Sequence, residues 1–193
     1  NMKKTIENLS KAFAGESQAR NRYTFYAKVA KKEGYEQVSA NFLLTADQER
    51  EHAKWLLRMI NQLKANSEED FSDVKVEADI PNVLGNTVEN LKAAIGGENH
   101  EFTTMYPEFA QIADEEGLSE VAKRLRSIAK AEEYHSKRYQ KFLKNIEEGA
   151  VFKRPEPVTW VCRNCGYTHD GEEAPDKCSS CDHPKAYFQK GCY

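Results

Sequence analysis

Four stretches of this chain carry an apolar stripe at helical spacing, and each stripe is interrupted near its middle by a glutamate. Read at alternating steps of three and four, the first runs Ile6, Leu9, Phe13, Glu16, Arg20, Tyr23, Ala27, Ala30, and the second Phe42, Ala46, Glu49, Ala53, Leu56, Ile60, Leu63. The third runs Val88, Leu91, Ile95, Glu98, Phe102, Met105, Phe109, Ile112, and the fourth Val121, Leu125, Ile128, Glu132, His135, Tyr139, Phe142, Ile146. This period predicts helices whose stripes face a shared interior. An unpaired carboxylate in such an interior costs several kcal/mol even after relaxation. A run like Asp47-Gln-Glu-Arg-Glu-His52, taken alone, reads as a solvated face. Four mid-stripe glutamates at matching depth read instead as carboxylates turned together onto a cation.

The neighbours of these glutamates narrow the cation. His52 follows Glu49 by three residues and His135 follows Glu132 by three, so each imidazole shares its glutamate's face. Glu101 follows Glu98 at the same interval, and spacing alone leaves it either a ligand or a solvated side chain. Oxygen donors with a little nitrogen suit iron or manganese. One glutamate from each of two helices and Glu-x-x-His from each of two others is the ligand pattern of ferritin-like di-metal bundles. Tyr23 and Tyr106 are either packing residues or donors to the ligating carboxylates, since a buried hydroxyl needs a partner in both cases.

The expected architecture is an all-α four-helix bundle with one long crossover, followed by a small β/loop metal domain. Helices are expected over about Thr5–Lys32, Tyr35–Lys64, Thr87–Glu116 and Ser119–Gly149, with Gly34 and Gly117 closing the first and third and Ser119 capping the fourth. Residues 65–86 are acidic, aperiodic and hold Ile80-Pro81, which predicts a connection. Extended, it spans roughly 70 Å against roughly 40 Å for the helices, enough to run back along the bundle. The halves repeat: Tyr23 and Tyr106, Gly34 and Gly117, Glu49 and Glu132, His52 and His135 are each 83 residues apart, but Glu16 and Glu98 are 82 apart. The extra residue predicts a π-bulge between Glu98 and Tyr106, and Pro107 predicts a kink or a lost hydrogen bond nearby.

All five cysteines of the 193 residues lie between Cys162 and Cys192, so the chain divides into 2–149, a proline-bearing linker at 150–157, and 158–193. Cys162-x-x-Cys165 and Cys178-x-x-Cys181 predict a four-thiolate metal site, with spacing unable to separate iron from zinc. So short a tail must rest on its metal, with Trp160, Tyr167, Tyr187 and Phe188 as an aromatic cluster. His169 and His183 read as spare, and Cys192 has no evident partner. A net charge of −3 with no long basic run argues against nucleic acid or an anionic membrane as partner. No stretch has the apolar length of a membrane span, and a cytoplasmic setting is expected.

The chain resembles the rubrerythrin family in Ala14-Gly-Glu-Ser-Gln-Ala-Arg-Asn-Arg-Tyr23, Asp47-Gln-Glu-Arg-Glu-His-Ala53, Gly97-Glu-Asn-His-Glu101, Ala131-Glu-Glu-Tyr-His135 and Cys162-Arg-Asn-Cys-Gly-Tyr167. The resemblance implies two non-haem irons bridged by Glu49 and Glu132, with Glu16 and Glu101 on the first and Glu98 and His135 on the second. It also implies that the first iron exchanges Glu101 for His52 on reduction. The tail resembles rubredoxin, which implies one iron on Cys162, Cys165, Cys178 and Cys181. The implied activity is reduction of hydrogen peroxide to water, with electrons from an NADH-dependent reductase or a rubredoxin- or ferredoxin-type donor. A head-to-tail homodimer or higher oligomer is implied as well, and the head-to-tail pairing suits the roughly 22 Å of helix between Glu132 and the tail. The rival readings are a ferroxidase or iron-handling protein, and a bundle carrying a structural zinc ribbon.

Overall fold

The stripes fold as helices in the computed structural model, which describes residues 2–68, 70–71 and 73–191. Helix α1 spans Lys3–Lys32 and α2 Glu36–Ala65. The third stripe is interrupted: α3 (Thr87–His100) gives way to a π-helical turn (Glu101–Met105) and then α4 (Tyr106–Glu115). Helix α5 spans Ser119–Glu147. Cys192 lies outside the described residues.

Gly34, Gly117 and Gly149 take φ of +84°, +80° and +64°, the left-handed conformation that a helix end requires. At the first of them the Gly34 N–H donates to Lys31 O and the Tyr35 N–H to Ala30 O, so α1 reverses directly into α2. The same closure at Gly117 corrects one sequence expectation. Ser119 is the first residue of α5 rather than its cap, and no side chain caps that end. Leu118 takes the cap position because its N–H closes α4 on Ala113 O (2.7 Å) and its side chain packs on the core, leaving the turn no further residue. Helix α3 does have a cap that the sequence reading overlooked: Asn86 and Glu89 satisfy each other's backbone N–H groups as a capping box.

α1 packs along α2 and α3–α4 along α5. The crossover between the hairpins is tied down where Tyr26 donates to Val83 O (2.7 Å) and where Phe71 is buried. Reciprocal acids join the halves: Glu116 accepts from the Thr5 N–H and Glu33 from the Thr87 N–H, both at 2.9 Å. Glu33 and Glu116 are themselves 83 residues apart, so each repeat uses the carboxylate at its turn to cover the free N–H groups at the start of the other's first helix.

The π-turn lies where the extra residue predicted it. Eight residues then carry the chain from Glu98 to Tyr106 over the two turns that take seven from Glu16 to Tyr23. Pro107 falls in the first turn of α4, directly after this widening, where its missing N–H and its ring are least costly. The burial pattern also refines the stripes. Phe13 and Arg20 are only half-buried while Ala12 and Ala19 are buried, and Val88, Ile95, Phe102, Met105 and Ile112 are half-buried beside Ala94, Ala110 and Ala113. The small side chains take the line of closest approach between helices and push larger neighbours to its edges. Two apolar clusters result, one containing Leu9, Leu56, Phe109 and Leu125 and the other Tyr26, Phe42, Leu91 and Tyr139. The four mid-stripe glutamates lie between them.

The tail is an antiparallel sheet of order β2-β1-β3, made of β1 (Lys153–Cys162), β2 (Thr168–Glu173) and β3 (Phe188–Lys190). β1 begins inside the stretch expected to be linker. Pro155 and Pro157 are tolerated there because the pairing with β2 shifts register between Lys153 and Val158, so their missing N–H groups leave no gap in a regular ladder. Trp160 and Phe188 are buried against Cys162 and Cys178, with Tyr167 and Tyr187 packed at the edge, and Trp160 donates to Gly171 O (2.9 Å).

Candidate metal centres

Glu16, Glu49, Glu98 and Glu132, one from each of α1, α2, α3 and α5, are all at most 1% exposed. Their oxygens converge in two groups. Glu16, Glu49, His52 and Glu132 each offer one ligand atom within 4.8 Å of the others, and so do Glu49, Glu98, Glu132 and His135. Glu49 and Glu132 belong to both groups and divide their oxygens between them. His52 Nδ1 lies 2.9 Å from Glu49 Oε2 and 2.8 Å from Glu132 Oε1, while His135 Nδ1 lies 3.1 Å from Glu49 Oε1 and 2.8 Å from Glu132 Oε2. Glu16 and Glu98 complete one group each, at 3.7 Å from His52 Nδ1 and 3.4 Å from His135 Nδ1.

Most of these approaches are not hydrogen bonds. Glu16 Oε2, Glu49 Oε1, Glu98 Oε2, both oxygens of Glu132 and Nδ1 of His135 are buried without a hydrogen-bond partner among the described residues. Native interiors rarely leave polar atoms so, and six around one point call for a ligand. Besides the hydrogen bond between His52 Nδ1 and Glu49 Oε2 (2.9 Å), the bonds come from outside: Tyr23 donates to Glu98 Oε1 (2.5 Å), and Tyr106 donates to Glu16 Oε1. Each tyrosine thus reaches across to the other repeat's glutamate, which resolves the choice between packing and donation in favour of donation. Burial and the neighbouring carboxylates push both phenols well above their usual range, so they stay protonated donors.

The charges point to the kind of ligand this cluster takes. Burial first, then the charges of neighbouring glutamates, raise Glu16 well above the carboxylate range and Glu98 to about 8. Burial alone would lower the imidazoles, but Glu132 and Glu49 overcome it and lift His52 to about 10, and with Glu98 they lift His135 to about 12. Glu49 goes the other way: burial would raise it, yet the two imidazoles hold it at about 2. Left to itself, the cluster gathers protons to offset its negative charge. Two divalent cations in the paired groups would replace those protons, and oxygen-rich donors with one imidazole each fit iron.

In the tail, Cys162 and Cys181 Sγ are 3.7 Å apart, and so are Cys165 and Cys178 Sγ. A disulfide is far shorter, whereas a tetrahedron with bonds of about 2.3 Å has edges of about 3.8 Å. The two knuckles are alike: the Gly166 N–H donates to Cys162 O and the Asp182 N–H to Cys178 O, and the residue after each second cysteine takes positive φ, +78° at Gly166 and +60° at Asp182. The Tyr167 N–H is the main influence drawing the Cys165 thiol down to about 6, toward the thiolate that binds metal. His183, read as spare, packs edge-on against Tyr187 at 4.4 Å.

Residues 7–143 match the family model for rubrerythrin, and residues 160–189 match that for the rubrerythrin rubredoxin-like domain. The chain belongs to the rubrerythrin family. It is 58% identical over all its 193 residues to a Methanocaldococcus jannaschii protein described under the rubrerythrin name, covering 95% of that protein. It is 50% identical to rubrerythrin of Porphyromonas gingivalis over 187 residues, which is 96% of this chain and 89% of that one. A solved structure of nigerythrin in a partially reduced state superposes with a TM-score of 0.63 at 31% identity, over 97% of this chain and 86% of that one. The chain thus combines a ferritin-like bundle holding a di-iron carboxylate and histidine site with a rubredoxin-like four-cysteine site.

Among rubrerythrin residues expected from the sequence, Glu101 alone stands apart. It begins the π-turn, is half-buried, and is not among the donor atoms gathered within 4.8 Å; His52 takes that place. Its carboxyl is nonetheless raised well above the usual range by burial and then by Glu98, Glu132 and Glu49, so it borders the same negative field. The sequence reading missed Arg22, whose guanidinium lies over the Tyr23 and Tyr26 rings at 5.7 and 5.9 Å and opposes the rise of Glu101. An arginine off the stripe carries no spacing signal. Replacing Tyr23 with phenylalanine leaves Glu98 Oε1 buried without its donor. Metal affinity in the group with His135 is expected to fall about 10- to 100-fold, with the His52 group less affected, as read by stepwise anaerobic iron(II) titration.

Proposed function

We propose that this chain is a peroxidase that reduces hydrogen peroxide to two waters at the bundle centre, taking two electrons and two protons per turnover. The observation that carries the reading is the division of Glu49 and Glu132 oxygens between two donor groups, in a chain that also ends in a four-thiolate site. Residues 2–149 serve as the di-iron unit, 150–157 as the linker between units and 158–193 as the electron-transfer unit.

Glu16, Glu49, His52, Glu98, Glu132 and His135 would hold the bundle pair, and Cys162, Cys165, Cys178 and Cys181 the tail iron. When bound, iron supplies electrons: two together to the O–O bond from the bundle pair, and one at a time to that pair from the thiolate site. The protein does the rest. Glu49 and Glu132 fix the spacing of the two positions, and Tyr23 and Tyr106 pin Glu98 and Glu16 so that the terminal carboxylates do not swing. Glu101 and His52 would alternate at the first position, as the family resemblance implies, and the gathering of His52 rather than Glu101 with Glu16, Glu49 and Glu132 supports that reading. Glu101, when set aside, would take up a proton from solvent, as its raised pKa favours, and would give it to oxygen leaving as water.

The tail begins about 22 Å of helix away from Glu132, so one protomer's tail serves its partner's bundle in a head-to-tail dimer. A monomer with full turnover would argue against this. The tail takes electrons from an NADH-dependent reductase or a rubredoxin- or ferredoxin-type donor, in a cytoplasmic setting that keeps its thiols reduced.

A visible spectrum taken before and after dithionite, and again after peroxide, tests the reading. The ferric thiolate colour should bleach on reduction and return with peroxide at a stoichiometry set by three irons per chain; colour that never returns overturns it. In Cys165→Ser the tail should lose its iron and colour. The reduced bundle should then be oxidised once by peroxide, while steady turnover with a reductase falls at least about a hundredfold.

A further inference from the structure

Of the six donors gathered in the bundle, five have side chains at most 2% exposed, but His52 keeps 16%. A cavity of about 180 Å³ opens beside it, lined by His52, Trp55, Arg124, Ser127 and Ile128. Trp55 follows His52 by three residues on α2, and Arg124 reaches over from α5 to stack its guanidinium 3.9 Å from the indole centroid. Arg58, one turn further along α2, lies over the same indole at 4.9 Å. Nothing in the donor geometry needs this arrangement, since neither arginine belongs to the donor groups.

The cavity is small and its wall is movable. The space admits hydrogen peroxide with room to spare, and the stacked Trp55 and Arg124 side chains, rather than the volume, are what a bulkier aryl hydroperoxide has to pass to reach His52. Ile128 and the indole supply apolar walls, while Arg124 presents N–H donors to an entering peroxide oxygen and Ser127, whose hydroxyl donates to Lys123 O (3.0 Å), presents only an acceptor oxygen. A cation–π contact at an exposed position is weak, so the Arg124 side chain can lift without disturbing the helices. We infer that Trp55 and Arg124 form the mouth of the peroxide path, opening on the His52 edge, and limit entry to hydroperoxides of about the size of hydrogen peroxide. This rests on the peroxidase reading, and Trp55 and Arg124 are specificity residues in it.

The test uses iron-loaded full-length protein and two readouts. Azide binding to the oxidised centre, followed by its charge-transfer absorption in stopped flow, reports access without turnover. Ser127→Trp fills the cavity from an exposed position, and azide binding should slow by about tenfold or more at unchanged iron content. Arg124→Ala opens it, and azide should bind about threefold faster or more. In the second readout, reduced protein is mixed with hydrogen peroxide or cumene hydroperoxide. Arg124→Ala should raise the ratio of the cumene rate to the hydrogen peroxide rate by about fivefold or more, and Ser127→Trp should lower both rates. Azide rates unchanged in both variants would overturn the proposal, as would an unchanged ratio in Arg124→Ala. If hydrogen peroxide fails to oxidise the reduced wild-type protein, the functional reading falls, and the azide arm still decides whether the mouth lies here.

Discussion

Glu132→Ala should empty the bundle of iron while leaving the tail coloured. Glu132 supplies one oxygen to each donor group, with Oε1 at 2.8 Å from His52 Nδ1 and Oε2 at 2.8 Å from His135 Nδ1. Its loss therefore leaves each group with three donors and removes one of the two carboxylates that hold the groups together. Outer partners of a metal ligand already cost about 10- to 100-fold in affinity or activity, and a shared ligand should exceed that at both positions. We expect metal analysis to fall from three irons per chain toward one, peroxide turnover to fall more than about a hundredfold, and the thiolate spectrum to persist. Glu133→Ala is the control: that side chain is on the surface, paired with Lys137, and its loss should leave iron content and turnover close to the parent. Two irons retained in the bundle of Glu132→Ala would remove Glu132 from the centre.

Much of this centre was legible because its parts obey helical spacing. Glu49 with His52 and Glu132 with His135 announce themselves as three-residue pairs on an apolar stripe, and a shared offset marks the bundle as two repeats. Even the π-turn at Glu101–Met105 was written as arithmetic, one residue too many between Glu98 and Tyr106. What spacing did not carry were contacts made across helices by residues off the stripes. Trp55 and Arg124 meet only because α2 and α5 adjoin. The capping box at Asn86 and the paired acids Glu33 and Glu116 belong to the same class, since their partners are backbone N–H groups that no residue pattern names. Nor did spacing separate Glu101 from His52 at the first position, because both stand three residues from a ligand on the same face as it.

Removing the metals should reverse the pH dependence of the bundle's stability. In the metal-free protein Glu98 is raised from 4.5 to about 8, His52 from 6.5 to about 10 and His135 from 6.5 to about 12. In each case the folded state holds its proton more tightly than the unfolded chain. The contribution is therefore fully present below the unfolded value and is lost as pH rises, from 4.5 to about 8 for Glu98 and from 6.5 upward for the histidines. Glu49, held at about 2, acts oppositely but only below 4.5. Glu98 acts alone from about pH 5 to 6.5, all three act together from about 6.5 to 8 and the histidines continue above that, always in one direction and each by up to about 1.4 kcal/mol per pH unit. At about 2–4 °C per kcal/mol for a chain of this size, the metal-free bundle should melt several degrees lower at the alkaline end. Loading exchanges those protons for cations, so iron(II) affinity, and with it the stability gained on binding, should climb with pH over the same range. Helical circular dichroism during anaerobic melting, with and without iron(II), reads both slopes from the bundle. A metal-free melting temperature that rises between pH 5 and 9 would mean that the buried carboxylates are charged without a counterion, and the cation-centred account of this bundle would fail.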